Sequence, residues 1–311
     1  THKFVKILRL INDIMAKNST LITETNLPNQ ENLSYFGNSN EANCIYNFSL
    51  PPLILYSFFF GNSKILRRWN MTMPPALEET SYINFLSSHD GIGLRPLEGL
   101  ISDSDYKKLI KKLKFKKSLF TTRKKDNKNL IYEANITFFD ALKENDKYDV
   151  DRFISAHAIV LSIEGIPAIY VNSLLGSKNY YDGVRKTNAN RTINRQKWNL
   201  NEIKKIMNSN SDQTKIFHSI KKLIEIRKKQ KAFHPNASMR CISFGKKILA
   251  FKRISLDKKQ TIICITNMSS KSQSVLLANN KNKYKNLLNK NVNIISKRLI
   301  LKPSETVWLS N

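Results

Sequence analysis

Two acidic residues occupy positions where a parallel sheet could place catalytic groups. Glu24 ends the β-like run 21–23, and Asp90 follows the run 83–86, with His89 beside it. In a barrel of parallel strands, side chains at the carboxyl ends of the strands line the active site. Cleavage of a glycosidic bond uses one protonated carboxyl group and one ionised carboxylate. The two acids therefore suggest carbohydrate chemistry, although a strand-end acid also serves as a salt-bridge partner or a helix cap.

The elements that would hold these acids alternate between β-like and helical patterns. The β-like runs are 21–23, 44–48, 82–86 and 166–171, and the helical patterns are 3–16, 53–69, 151–163 and 214–229. Repeated strand–helix units predict a parallel sheet or barrel. Four such units correspond to half of an eight-unit (β/α)8 TIM barrel.

Two further segments depart from that alternation. The stretch at about 95–148 is too long for an ordinary loop and predicts a subdomain inserted at the catalytic face. From residue 238 onward, short apolar runs separated by Lys, Asn and Ser turns are typical of antiparallel strands. We therefore predict a partial α/β barrel over residues 1–237 and a small all-β sandwich domain over 238–311.

The chain is strongly basic, with 52 Lys and Arg against 24 Asp and Glu and a net charge of +28. Such a surface attracts nucleic acid, anionic membranes or anionic substrates. The first part of the densest basic run, 107–128, predicts a helix with a solvated basic face, and no nucleic-acid-binding motif accompanies the run. No apolar stretch approaches the roughly 20 residues that span a bilayer. We expect neither partner, and nucleic-acid binding remains an alternative that predicts affinity falling steeply with salt.

The cysteines and the first residues bear on compartment and completeness. Cys44, Cys241 and Cys264 are odd in number, far apart and without metal-ligand spacing. We interpret them as small buried hydrophobic residues of a cytoplasmic protein. The sequence opens at Thr1 on an amphipathic pattern, without an initiator Met or a signal-peptide layout, and this opening predicts a fragment.

Several longer motifs resemble one enzyme family. The stretch 83–99 is similar to the seventh-strand motif of glycoside hydrolase family 13, and its His-Asp-Gly-Ile-Gly run resembles the sucrose phosphorylase subfamily. The other matches to that subfamily are 21–28 and 31–37 for the fifth strand, 42–52 for the sixth, and 165–170 and 173–176 for the eighth, followed by 190–195. The resemblance implies that residues 1 to about 235 hold barrel strands five to eight.

The resemblance also implies roles for the two acids. Glu24 would be the general acid/base, which protonates the glycosidic oxygen and then deprotonates the acceptor. Its burial would let it keep a proton before the bond breaks. Asp90 would stabilise the transition state through the sugar hydroxyls.

Binding residues follow from the same resemblance. His89 would hydrogen-bond the glucosyl unit, and Tyr46, in the sixth-strand match, joins the substrate-binding residues. Arg195 and Arg191 would face the acceptor, because guanidinium groups suit phosphate or carboxylate. The alternatives are a satisfied buried histidine at position 89 and surface salt bridges for the two arginines.

The activity implied is that of a retaining α-glucoside phosphorylase. Phosphate, the co-substrate, would attack a glucosyl-enzyme and release glucose 1-phosphate, with no other cofactor and no metal. The residue patterns of 23–28 and 93–99 resemble the branch acting on glucosylglycerate or sucrose 6-phosphate more than they resemble plain sucrose phosphorylase. The alternatives are a hydrolase or transglucosylase on the same scaffold, and a non-catalytic carbohydrate-binding remnant.

The sequence departs from the family in three places. The nucleophile motif, Arg-x-Asp-Ala on the fourth barrel strand, does not occur, so we expect strands one to four to be absent. The chain alone should then be inactive, with open sheet edges, exposed apolar helix faces and an N-terminal half-barrel as its missing partner. Asn29 and Asn43–Cys44 stand where a histidine is usual. We expect both sites near the active-site face, where they would affect acceptor specificity.

Overall fold

Helices and short strands alternate along the first two thirds of the chain, and strands dominate the remainder. The computed structural model describes residues 1–16, 18–77, 79–125, 127–277, 284–289, 294–295 and 298–311. The α-helices, in chain order, are α1 His2–Met15, α2 Asn29–Leu33, α3 Leu50–Phe60, α4 Lys64–Thr72, α5 Asp103–Phe115, α6 Phe138–Leu142, α7 Asp149–Ser162, α8 Val171–Leu174, α9 Tyr181–Thr187, α10 Leu200–Met207 and α11 Asp212–Lys228. The β-strands are β1 Ile22–Thr23, β2 Cys44–Tyr46, β3 Ser81–Asn84, β4 Ile92–Gly93, β5 Leu119–Lys125, β6 Lys128–Asn135, β7 Ile166–Pro167, β8 Ser238–Ile242, β9 Ile248–Ile254, β10 Thr261–Asn267, β11 Gln273–Leu276, β12 Lys285–Asn286, β13 Ile294–Ile295, β14 Arg298–Leu301 and β15 Thr306–Ser310.

Strands β1, β2, β3 and β7 form a parallel sheet in chain order. Helices α3 and α4 connect β2 to β3, and α7 leads into β7, so the predicted α/β alternation is confirmed. The predicted strand 166–171 is wrong beyond Pro167, because the chain turns there to begin α8 at Val171. A short apolar run does not by itself distinguish a strand from a buried helix.

Helix α3 shows how the apolar core beside the sheet is built. All its residues from Leu50 to Phe58 are buried. The single helix predicted over 53–69 is two helices, because Gly61 ends α3 with a φ of +55°. Only a residue without a Cβ adopts that left-handed conformation readily. Helix α7 is buried on nearly every side and packs against α11.

The segment between β3 and α7 carries its own antiparallel sheet, in the order β4-β6-β5, together with α5 and α6. Helix α5 buries Leu109 and Leu113 and turns its lysines outward, which confirms the predicted basic face. The hairpin of β5 and β6 was not predicted, because its lysines interrupt the apolar alternation. The bounds of an inserted subdomain remain a prediction, and residue 126 lies outside the described residues.

The C-terminal strands form a five-stranded sheet, β12-β15-β10-β9-β8, and a three-stranded sheet, β11-β14-β13. An apolar cluster drawn from both sheets includes Ile265, Val275 and Leu301. Trp308 points the other way and meets Phe233, with ring centroids 4.8 Å apart. The C-terminal sheets therefore pack on the α/β part of the chain. Parts of the predicted all-β domain, 278–283, 290–293 and 296–297, lie outside the described residues.

Helix α1 lies beside β1 and leaves one apolar face open. Arg9 anchors it through Glu79 and the carbonyl oxygen of Glu41, whereas Phe4 and Ile14 keep about two thirds of their surface exposed. Strands β1 and β7 each pair with one neighbour among the described residues. Among the described residues, β1 and β7 thus end the sheet and α1 carries an exposed apolar face, whereas α3 and α7 are buried; the half-barrel itself remains a prediction. Within the described part of the chain, no helix is both long enough and apolar enough to span a membrane.

Candidate active site

Asp90 lies in the loop that follows β3, at the carboxyl end of the parallel sheet. Its Oδ1 atom is 2.8 Å from Nη1 of Arg191 and 3.2 Å from Nη2 of Arg195. Nε2 of His89 lies 3.5 Å from the same oxygen. The structure thus gathers four of the residues predicted for the site around a single carboxylate.

A 3₁₀ turn after α9, at Asn190–Asn194, supplies the arginine side of this cluster. The Asn194 amide donates to the carbonyl oxygen of Asp90 at 3.1 Å, and Nε of Arg195 donates to the carbonyl oxygen of His89 at 2.8 Å. The turn therefore holds the backbone of the loop as well as the Asp90 carboxylate. Both arginines form ion pairs with Asp90 and keep 37% and 43% of their side chains exposed, so their role towards an acceptor stays a prediction beside the alternative of surface salt bridges.

His89 is an exposed residue. Its side chain keeps 58% of its surface accessible, so the alternative of a satisfied buried histidine is wrong. An imidazole at the mouth of the site, next to Asp90, is available to a hydroxyl group of a ligand.

Glu24 follows β1 at the same end of the sheet, but it is exposed. None of the described residues forms a hydrogen bond or ion pair with its side chain. The expected burial is not found, because β1 is the last strand on its side of the sheet within the described part of the chain. The structure therefore places Glu24 on the predicted face without joining it to the Asp90 cluster.

Tyr46 ends β2 and packs into an aromatic group beneath the strand ends. Its ring lies edge-on to Phe85, with centroids 5.5 Å apart, and Phe85 in turn packs edge-on against Phe48 at 5.1 Å. Tyr46 is half-buried and forms no hydrogen bond or ion pair with the arginine cluster among the described residues. Its role in substrate binding stays a prediction.

Glu133, on β6, belongs to the site and was missed by the sequence reasoning. Its carboxylate accepts from Nε and Nη2 of Arg191 at 2.9 and 3.0 Å. These hydrogen bonds raise the pKa of Arg191, partial burial opposes the shift, and the charges of Glu133 and Asp90 add to it. The available signal was the single acidic residue between 127 and 139, which interrupts the short run 130–134.

Asn29 and Asn43, which stand where a histidine is usual in the family, both accept hydrogen bonds. Asn29 is buried and accepts from Nε1 of Trp69 at 3.0 Å and from the Ser49 hydroxyl at 3.2 Å. The expectation that Asn43 lies near the active-site face is wrong. Asn43 precedes β2, and its Oδ1 accepts from the backbone N–H of Leu21 at 2.9 Å. Because Leu21 also precedes its strand, this bond lies at the amino ends of β1 and β2, opposite the Asp90 cluster.

Known proteins resemble the chain along nearly its whole length. No protein-family profile matches it. Glucosylglycerate phosphorylase of Escherichia coli (strain K12) is 36% identical over 317 residues, which cover 99% of this chain and 56% of that protein. Glucosylglycerate phosphorylase of Spirochaeta thermophila is also 36% identical, over 86% of this chain and 46% of its own length. The chain belongs to the sucrose phosphorylase subfamily of glycoside hydrolase family 13.

This family 13 chain spans about half the length of the curated relatives that it matches, in their C-terminal part. The crystal structure of sucrose 6F-phosphate phosphorylase from Thermoanaerobacter thermosaccharolyticum superposes with a TM-score of 0.71 at 22% identity, over 86% of this chain and 51% of that one. An α-amylase from H. orenii superposes with a TM-score of 0.64 at 14% identity, over 99% and 56%. At these identities the superpositions establish the fold alone.

The geometry of the family 13 cluster suits an anionic or polyhydroxylated ligand. Two guanidinium groups and an imidazole surround Asp90, whose side chain is 23% exposed and so within reach of a ligand. Charge-assisted hydrogen bonds of this kind are shorter and stronger than neutral ones. Among the described residues, no group of three or more His, Cys, Asp or Glu side chains could hold a metal ion.

Proposed function

We propose that the protein containing this chain is a retaining α-glucoside phosphorylase whose preferred substrate is glucosylglycerate. The observation that carries the proposal is the Asp90 cluster in a chain that aligns over 99% of its length with a glucosylglycerate phosphorylase. Sucrose and sucrose 6-phosphate are the other candidate substrates, since phosphorylases acting on them are more distant relatives. A cytoplasmic location belongs to the same proposal.

In the proposed reaction Glu24 is the general acid/base. It gives its proton to the glycosidic oxygen while a carboxylate nucleophile attacks the anomeric carbon. The non-glucosyl part of the substrate then leaves. Inorganic phosphate then loses a proton to Glu24 and attacks the glucosyl-enzyme, which releases glucose 1-phosphate with the α configuration. A retaining mechanism places its two carboxyl groups about 5–5.5 Å apart.

Asp90 and His89 hold the glucosyl unit in this scheme. The Asp90 carboxylate accepts hydrogen bonds from sugar hydroxyls that strengthen as the ring distorts towards an oxocarbenium-like shape. Arginine side chains on the acceptor side attract phosphate and the carboxylate of glycerate. The exposed guanidinium of Arg195 supports this placement.

The nucleophile is proposed to come from four further strand–helix units, on the same polypeptide or on another. Support comes from β1 and β7, which each pair with one neighbour among the described residues, and from the exposed apolar face of α1. Parallel strands added at β1 would cover Glu24 and supply the burial that a general acid needs. The relatives are long enough to contain such units.

Product analysis tests the proposal. The whole protein, or this chain with its complementary half, is incubated with phosphate and each of the three glucosides. We expect glucose 1-phosphate, formed fastest from glucosylglycerate, and formation about 10²–10⁴-fold slower with the Glu24→Gln variant. Release of glucose independently of phosphate would instead indicate the hydrolase alternative. Binding of glucosides without turnover by the parent would indicate a carbohydrate-binding remnant.

A further inference from the structure

Glu133 is an almost completely buried carboxylate that forms two hydrogen bonds with Arg191 of the candidate site. Its side chain is 2% exposed, and it lies on β6 opposite Gly93, in the antiparallel pair of β4 and β6. A buried carboxylate is costly unless it is paired and hydrogen-bonded. Here the Thr121 hydroxyl donates to Oε1 at 3.1 Å, and the Asn135 amide donates to Thr121 at 2.9 Å. The hairpin of β5 and β6 therefore holds this carboxylate in place through hydrogen bonds.

The geometry of Arg191 divides its donors between two carboxylates. Nε and Nη2 face the two oxygens of Glu133, and Nη1 faces Oδ1 of Asp90. A guanidinium is planar, and a two-point contact along one edge fixes its orientation as well as its position. The direction in which Nη1 points is therefore set by Glu133.

The backbone around Asp90 also rests on β6. A Cβ atom at Gly91 would lie 2.8 Å from the carbonyl oxygen of Ala134 and 3.1 Å from Cδ of Glu133. Neither distance leaves room for a side chain, so the turn after Asp90 sits directly against the strand that carries Glu133. A shift of this strand would move Asp90 as well as Arg191.

We propose that Glu133 is a positioning residue that fixes Arg191 against Asp90, which leaves Arg195 as the member of the arginine pair that receives the anionic acceptor. This inference rests on the proposed function. The charge of Arg191 is balanced on two sides by Glu133 and Asp90. Arg195 instead donates from Nε to the neutral carbonyl group of His89 and shares Asp90 with Arg191, and its side chain is 43% exposed against 37% for Arg191.

Kinetics of phosphorolysis separate positioning from anion binding. In Glu133→Gln we expect kcat to fall about 10- to 100-fold, because misplacement of a transition-state group by ~1 Å costs that much, with the KM for phosphate changed less than about 3-fold. Arg191→Lys, which keeps the charge and loses the two-point contact, should show the same pattern. In Arg195→Gln the KM for phosphate should rise at least about 10-fold, the cost of a charge-assisted hydrogen bond.

Glu144→Gln is the matched control. Glu144 is another carboxylate that contacts two cations, Lys112 and Lys116, at 3.1 and 3.0 Å, and it has no contact with the Asp90 cluster. Its kinetics should match those of the parent. A rise in the KM for phosphate in Glu133→Gln or Arg191→Lys, with kcat retained, would overturn the inference.

Hydrogen exchange tests the positioning role of Glu133 without any turnover. Its result can therefore be judged separately from the proposed function. Hydrogen exchange in the ligand-free protein is followed in the segment 87–93. We expect faster exchange in Glu133→Gln and Arg191→Lys, no further increase in the double variant, and parent rates in Glu144→Gln. Unchanged exchange in the single variants would overturn the positioning role. A parent without phosphorolysis would defeat the proposed function, and the exchange data would still decide the role of Glu133.

Discussion

Nη2 of Arg195 lies 3.2 Å from Oδ1 of Asp90, so the cation that we assign to the acceptor touches the carboxylate that we assign to the sugar. The two residues come from different parts of the sheet: Asp90 follows β3, and Arg195 follows the 3₁₀ turn beyond β7. Their contact joins the donor and acceptor sides of the proposed site. A ligand that moves one of them will also affect the other.

Asp90→Asn removes the negative charge at the centre of this contact. We expect kcat/KM for phosphorolysis to fall by about 10²–10³, the usual loss when a preorganised electrostatic group is removed from an active site. Circular dichroism should show the same fold as the parent. A variant that keeps more than a tenth of the parent activity would exclude Asp90 from transition-state stabilisation.

Glu24→Gln should separate activity from stability. The free energy of unfolding of this chain should change by less than about 0.5 kcal/mol, because the side chain is exposed and lacks a partner among the described residues. Phosphorolysis by the whole protein should fall by about 10²–10⁴, as expected for a general acid/base. The control is Glu225→Gln on the exposed face of α11, which should leave both quantities unchanged. Loss of stability in Glu24→Gln would point to a structural role.

Arg253 should be essential for stability. It is completely buried and donates to the carbonyl oxygens of Ser162 and His234 at 2.7 Å and of Ala237 at 3.1 Å. Arg253→Met leaves these oxygens without their donor, so we expect a loss of about 3 kcal/mol or more in denaturant unfolding. Arg240→Met, on the exposed side of the neighbouring strand, should cost less than about 0.5 kcal/mol. Equal losses in the two variants would contradict this account.

His157 should make the chain less stable in acid. Burial lowers its pKa from 6.5 to about 4, while the hydrogen bond to the carbonyl oxygen of Phe153 opposes the shift. Its contribution is fully present above pH 6.5 and is lost as the pH falls towards 4, since the unfolded chain takes up the proton first. At pH 5 the loss is about 2 kcal/mol relative to pH 8.

Thermal unfolding of parent and His157→Gln between pH 8 and pH 5 checks this contribution. The Tm of the parent should fall more steeply than that of the variant, and His218→Gln, an exposed histidine on α11, should follow the parent. Parallel curves for His157→Gln and the parent would show that the imidazole is accessible to protons in the folded chain.

The α/β alternation was predictable from the repeated strand and helix patterns in the sequence. The residues of the cluster were predictable because they lie within long motifs that resemble the family. Asp90 and Arg195 were found in this way. Glu133 was not, because its role depends on a hairpin that folds back over the site, a long-range contact that no local pattern encodes. The exposure of Glu24 follows from its place on the last strand of the sheet and not from its neighbours in sequence.

The most direct test of the central claim is phosphorolysis by complementation. This chain is produced alone, and together with the N-terminal half of the glucosylglycerate phosphorylase of Escherichia coli, whose C-terminal part it matches. Each sample receives glucosylglycerate and phosphate, and glucose 1-phosphate is measured. We predict product from the combined halves only, formed about 10²–10⁴-fold more slowly when the chain carries Glu24→Gln. Phosphorolysis by the chain alone, or undiminished phosphorolysis with Glu24→Gln, would contradict the account.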